Sequence, residues 1–286
     1  MYPKIIYIGL LSFLASSYAM AFPSLQLQTT RDTNRINKFE VKKGVYVDCV
    51  WVKAKKYYQI WSDQKINPYG FDPTQFKKVV HFQLYDPQKR EYWAPPLNKI
   101  VISSHFGPRN GRYHYGIDLA LPVGENVYSV FDGIIRISSY NGGYGNFVVI
   151  RHKNGLETLY GHLSKLRVEV GDEIKAGEII GKIGSTGFST GPHLHFSVLY
   201  QGTYINPMLL FDFSKGAKLR NRKLRLFPQH FFHVGNPYKI TLKYKVKEGE
   251  TLAEIADKYG IEVAEIKRRN RLKSNQLKVN QILIIQ

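Results

Sequence analysis

Five side chains in this sequence could build one reactive centre: His114, Asp118, His162, His193 and His195. His114 and Asp118 stand four apart in the run His-Tyr-Gly-Ile-Asp. His193 and His195 stand two apart near the end of Gly-Ser-Thr-Gly-Phe-Ser-Thr-Gly-Pro-His-Leu-His-Phe, residues 184–196. His162 lies between them in Tyr-Gly-His-Leu. Two imidazoles and a carboxylate aimed at one point hold zinc with a coordination position left open, which is how catalytic rather than structural zinc is bound. The chemistry to expect is metal-assisted hydrolysis.

The elements that must position these groups read as strands. Side chains two or four apart share one face of an extended chain. The segment His-Phe-Ser-Val-Leu-Tyr after Leu194 is rich in strand formers. A four-residue spacing also fits one helical turn, but Gly116 and the alternating Ile-Asp-Leu-Ala-Leu that follows favour extended chain. No glutamate flanks either pair as in a helical His-Glu-x-x-His site. A lone histidine of this kind is ordinarily a satisfied loop residue; five in this order argue for a site.

Around these residues the sequence resembles the lysostaphin-type (LytM-type) zinc endopeptidases of the bacterial cell wall. The resemblance runs from about Ile102 to Pro207. It rests on Phe-Gly-Pro-Arg ending at Arg109, His-Tyr-Gly-Ile-Asp, Gly-Tyr-Gly-Asn around Tyr144, Tyr-Gly-His-Leu, Val-Gly-Asp-Glu-Ile-Lys-Ala-Gly from Val170, the Ser-Thr-Gly-Pro-His-Leu-His-Phe run, and Asn206-Pro207. It implies that His114, Asp118 and His195 are the zinc ligands and that His162 and His193 are the catalytic pair beside them. Arg109 and Tyr144, from two of the motifs, are expected to line the substrate groove. All five central positions are filled, whereas relatives that only activate other hydrolases have lost ligands. There are two departures. Ser197 stands where many relatives carry Glu and, following the ligands, is expected to affect their support more than metal binding; His105 stands where a small or varied residue is usual.

The chain has 286 residues, room for about two domains. Lys4 followed by the apolar run from Ile5 to Ala15, then Ala19-Met20-Ala21, reads as a secretory leader over residues 1–21, too short for a spanning helix. The expected location is therefore across the inner membrane, periplasmic or extracellular and wall-associated. Cys49 is the sole cysteine, which excludes an intramolecular disulfide and a cysteine-held metal. A net charge of +19, from 41 basic and 22 acidic residues, suits a polyanionic setting. For an exported chain, anionic wall polymers fit that charge better than nucleic acid, which is not expected as a partner.

Residues 22–95 read as a small β-rich module of unknown role, with strand-like runs at Val45 to Val52 and Val79 to Tyr85. Residues 96–213 carry the zinc motifs in short apolar runs separated by glycine, the pattern of an antiparallel β core. Residues 214–243 are free of acidic groups and read as a basic linker. In the last segment, 244–286, Thr251 and Glu254 form a capping box before the helical spacing of Leu252, Ile255, Ala256 and Tyr259. Gly260 is placed to stop that helix, a second helix fits Val263 to Arg269, and Gln281 to Ile285 is strand-like. This strand, two helices and strand resemble the LysM module, which implies binding to N-acetylglucosamine-containing glycan, with Gly249, Thr251, Leu252 and Asn270 as expected contacts.

The expected fold is thus mainly β: an antiparallel zinc peptidase core, a β-rich N-terminal module and a C-terminal βααβ module. The expected function is cleavage of peptide bonds in peptidoglycan cross-bridges or stems by a zinc endopeptidase tethered to wall glycan. The alternatives are a non-catalytic wall-binding activator of other hydrolases and a glycan-binding adhesin led by the C-terminal module.

Overall fold

The structure, a computed structural model, describes residues 44–47, 50–53, 60–77, 79–109, 112–231, 233–234 and 242–285, the first two stretches as backbone. The expected leader and Cys49 lie outside the described residues. Among the described residues no helix is long and apolar enough to cross a membrane.

The centre of the molecule is a ten-stranded antiparallel sheet, in keeping with the antiparallel β core read from the sequence. Its main path runs Glu173–Ile174, Gly133–Asn141, Gly145–His152, Glu157–Leu166, His193–Tyr200, Ile117–Ala120 and Ile102–Ser104. The His193–Tyr200 strand shows how sequence sets its two faces. Leu194, Phe196 and Val198 alternate into the main core at 0% exposure. Leu199 points the other way, into a second cluster with Ile137, Phe147, Val149 and Leu159. His193, His195 and Ser197 share that second face, so one end of it is packed and the other carries the polar site.

The packed end is closed by the segment around residues 60–69, and two buried arginines hold it. Arg136 Nε and Nη2 donate to the two Glu157 carboxylate oxygens at 2.7 and 3.0 Å. Its Nη1 donates to the Ser62 and Lys65 carbonyls at 2.7 Å each, and Nη2 to that of Ile66 at 2.8 Å. Arg151 adds Glu157 at 3.0 Å and the Ile60 carbonyl at 3.0 Å, and also donates to the Tyr69 hydroxyl. Every N–H of Arg136 is spent, which is what keeps a fully buried guanidinium affordable.

Among the residues whose side chains are described, the N-terminal part shares its core with the central sheet. Val80, Phe82 and Leu84 join the same core as the central sheet. Their four-stranded sheet runs Lys223–Leu226, Val80–Gln83, Gly44–Val47, Val50–Lys53. The basic segment expected as a linker over 214–243 therefore supplies a strand, and an edge of that sheet. The reason is a period of two beneath the charge: Leu224 and Leu226 turn inward at 5% and 0% exposure while Lys223 and Arg225 face out. Residues 218–219 form a further short pairing with Phe211–Asp212.

The C-terminal part has the expected βααβ order, Lys243–Lys245, helices Leu252–Tyr259 and Val263–Asn270, then Ile282–Ile284 paired back to the first strand. Its core is separate, built from Tyr244, Val246, Leu252, Ile255, Ala256, Ile266, Leu283 and Ile285. The capping box is present in both directions, and Gly260 ends the first helix at φ +62. This part docks on the body that carries the central sheet. Asn206 Nδ2 donates to the Gly260 carbonyl at 2.6 Å, Arg220 pairs with Asp257 at 2.5 Å, and His230 Nε2 donates to the Lys258 carbonyl at 2.9 Å. A Cβ at Gly260 would lie 2.8 Å from the Leu209 side chain, so only glycine permits this approach.

Candidate metal centre

Strand register brings the three expected ligands together. His195 is the direct cross-strand partner of Asp118, and His114 reaches them from the short Arg112–His114 strand just before. His114, Asp118 and His195 are buried at 4%, 5% and 6% exposure. Asp118 Oδ1 lies 3.0 Å from His114 Nε2 and 2.9 Å from His195 Nδ1, and the two nitrogens are 3.1 Å apart.

These distances fit a metal. Donors at 2.0–2.1 Å from a tetrahedral zinc lie ~3.3 Å from one another. His114 donates its Nδ1–H to the His105 carbonyl at 2.8 Å, which leaves Nε2 as a bare lone pair facing the other two ligand atoms. Lone pairs and a carboxylate oxygen converging in a buried site repel one another unless a cation sits among them. Burial is the largest influence on Asp118 and raises its pKa, but the adjoining His114 and His195 rings together outweigh it and hold the group well below the usual carboxylate range. Burial pushes His195 down to about 4, so it is neutral and available as a ligand at neutral pH.

His162 and His193 stand beside this set, their rings 4.7 Å apart between centroids. Each is anchored through Nδ1, His162 donating to the Thr186 carbonyl and His193 to that of Gly191, both at 2.8 Å. Their Nε2 atoms are left for other partners, and that of His193 lies 3.6 Å from Asp118 Oδ1. Burial pushes the His162 pKa down, with the Thr186 carbonyl opposing. The strand that carries His162 would, by simple alternation, send its ring to the same side as Tyr160, into the main core. Instead His162 adopts φ +62, breaks the alternation and turns toward the site. A left-handed backbone at a non-glycine residue costs ~1–2 kcal/mol, strain that a functional position can hold when its surroundings fix it. The Tyr144 carbonyl does so, accepting the His162 N–H at 2.7 Å.

The two residues expected in the substrate groove have other attachments. Arg109 Nη1 donates to Asp118 Oδ2 at 3.0 Å and to Ser104 Oγ at 2.6 Å, so its guanidinium grips the outer oxygen of a ligand. Tyr144 is largely buried, its hydroxyl 2.8 Å from that of Tyr204 and its ring 5.4 Å from His195. Ser197, expected to affect the support of the ligands more than metal binding itself, lies 2.9 Å from His195 Nε2. The spacing of two from His195 on one strand was the signal for this contact.

In the C-terminal part, the expected glycan contacts are engaged in the fold. Thr251 is the helix N-cap, Leu252 is 1% exposed, and Gly249 makes a turn at φ +77. Asn270 uses both ends of its amide as a strand mimic: Nδ2 donates to the Ile266 and Ile284 carbonyls and Oδ1 accepts from the Ile284 N–H. Gly249 and Thr251 remain exposed beside these bonds, and Asn270 is half-buried.

Comparison with known proteins bears on both parts. Residues 112–207 match Peptidase family M23, and residues 244–286 match the LysM domain. The DD-carboxypeptidase/endopeptidase Mpg of Neisseria meningitidis is 48% identical over 127 residues, 42% of this chain. The peptidoglycan DD-endopeptidase ShyC of Vibrio cholerae is 40% identical over 126 residues, also 42% of the chain. The glycyl-glycine endopeptidase ALE-1 of Staphylococcus capitis is 48% identical over 106 residues, 35% of the chain. The chain spans 29% of the length of each of these relatives. With the family match lying across a buried His-Asp-His metal site, residues 112–207 are a peptidase family M23 domain, joined in this chain to a C-terminal LysM domain.

Proposed function

We propose that this protein is an extracytoplasmic zinc endopeptidase that hydrolyses peptide bonds in peptidoglycan, held at the wall by its LysM domain. The observation that carries the reading is the pairing of a three-ligand metal site with two histidines anchored through Nδ1 beside it. Zinc bound by His114, Asp118 and His195 supplies Lewis acidity and a water of pKa about 7. His162 and His193 divide the remaining work. One, as the neutral ring, would accept the proton of the attacking water at Nε2; the other, when protonated on both nitrogens, would donate from Nε2 to the oxyanion that develops on the scissile carbonyl. Holding each Nδ1–H on a backbone carbonyl fixes the ring orientation before substrate arrives. Arg109 holds Asp118 in place from its outer oxygen, and Tyr144 supports His162 and His195 from behind.

The named relatives are described as cutting different bonds, a D,D bond in two cases and a glycyl-glycine bond in the third. The D,D cross-link is the bond we propose here, because two relatives with longer matched segments act on it. The LysM domain supplies binding to N-acetylglucosamine-containing glycan, and the cationic surface adds attraction to anionic wall polymers. Residues 1–21 supply the export signal in this reading.

Digestion of purified peptidoglycan followed by mass spectrometry of the fragments tests the proposal. New termini at D,D cross-links are expected. Chelation should abolish them and added zinc restore them. His162→Ala should lower kcat by ~10²–10⁴-fold with zinc still bound. Fragment release that survives both chelation and His162→Ala sinks the enzymatic reading.

A further inference from the structure

Each ligand has a back side, and the three back sides differ. His114 turns its outward Nδ1–H onto a backbone carbonyl, and Asp118 turns its outward oxygen onto Arg109. The outward nitrogen of His195, Nε2, meets a side-chain hydroxyl instead, Ser197 Oγ at 2.9 Å. Ser197 is fully buried and lies on the same strand and face. Ser197 Oγ is the hydrogen-bond partner of that nitrogen. The ring has no room to look for one: a Cβ at Gly116 would already sit 2.7 Å from His195 Cε1 and Nε2.

We propose that Ser197 is a positioning residue for the metal, whose hydroxyl lets His195 change the nitrogen that carries its proton as zinc binds. The inference rests on the reading of this centre as a zinc site. His195 Nδ1 faces Asp118 Oδ1 at 2.9 Å. Without metal, that carboxylate is the strongest acceptor near the ring and draws the ring proton onto Nδ1, the tautomer that cannot ligate. Nε2 is then a bare acceptor, and the Ser197 O–H donates to it. When zinc takes Nδ1, the ring keeps one proton, now on Nε2, and the same oxygen turns and accepts it. A hydroxyl is both donor and acceptor, so it satisfies the buried nitrogen in both states. A backbone carbonyl or a carboxylate could serve only the second state, and an alanine neither. The back-side groups of a metal-ligating histidine typically govern affinity by ~10–100-fold.

The test uses the full chain, stripped of metal and titrated with zinc against a competing chelator. Ser197→Ala should weaken zinc binding by ~10–100-fold and Ser197→Thr should hold it to within ~3-fold of the unmodified protein. Ser197→Thr and Ser197→Val, which differ only as hydroxyl and methyl, repeat the comparison at constant size if the alanine variant folds poorly. The nitrogen chemical shifts of the His195 ring give an independent readout. They should report the proton on Nδ1 in the metal-free protein and on Nε2 after zinc. The proposal falls if Ser197→Ala and Ser197→Val bind zinc like the unmodified protein, or if the metal-free ring already carries its proton on Nε2. An unmodified protein that takes up no zinc at this centre would sink the zinc reading itself, a distinct result.

Discussion

His162 earns its place through its backbone more than its neighbours in sequence. Its φ of +62 turns a ring due for the core into the site, and the Tyr144 carbonyl and Thr186 carbonyl lock it there. The ligands were legible in the sequence because spacings of two and four on strands put side chains on one face, a local rule. The bend at His162 was not, since histidine gives little sign of a left-handed backbone before the fold demands it. Arg109 was legible as important through its motif, but the partner was not, because Asp118 is reached across a turn. That contact yields a residue-scale expectation. Arg109→Gln should weaken zinc binding by ~10-fold while leaving the fold intact, measured by chelator competition and thermal unfolding. Unchanged zinc affinity would return Arg109 to the groove role.

Among the elements, the arginine pair under the sheet does most to decide what stays together. Arg136 and Arg151 tie the residue 60–69 segment to Glu157, which they share. Burial and the neighbouring Glu157 charge push the Tyr69 hydroxyl pKa upward, so it remains a donor to that carboxylate. Removing one member of such a network strands the others in a dry place. Arg136→Met is expected to cost about 3–5 kcal/mol in chemical denaturation. A loss below about 1 kcal/mol, the scale of an exposed pair, would show that water reaches Glu157. None of this could be read from the sequence, where Arg136 and Arg151 look like ordinary charges punctuating two apolar runs. The strand at Lys223–Leu226 escaped for the opposite reason: charge density masked an alternation of two leucines. Helices of the LysM part were far easier, as capping box, spacing and terminal glycine all lie within ten residues of one another.

At the scale of the molecule, the two domains meet through His230. Its Nδ1 accepts the Phe227 N–H at 3.1 Å and its Nε2–H donates to the Lys258 carbonyl, and the first of these bonds requires the neutral ring. Burial lowers its pKa from 6.5 to about 4. A histidine depressed in the folded state takes up its proton first in the unfolded chain. Its contribution is therefore whole above pH 6.5, shrinks as pH falls toward about 4, and changes no further below that. Thermal midpoints between pH 7 and 4 should fall, and His230→Gln should flatten part of that slope. His152, His195 and His233, also pushed down to about 4 by burial, add to it. An identical slope in the variant would mean that docking does not need this ring.

The edge strand has a consequence in time. Leu226 pairs with Val80, so the partner that completes this sheet is made 146 residues after the strand it completes. Contacts so distant along the chain close late, after the loop between them is ordered. A nascent or freshly exported chain thus carries Val80–Gln83 with one open edge until residue 226 is available, and open edges invite strangers. Chains ending just before Lys223 should aggregate on refolding, while those ending after the strand should not. Light scattering during dilution from denaturant would tell the two apart, and equal solubility would show that the sheet can close without its last strand.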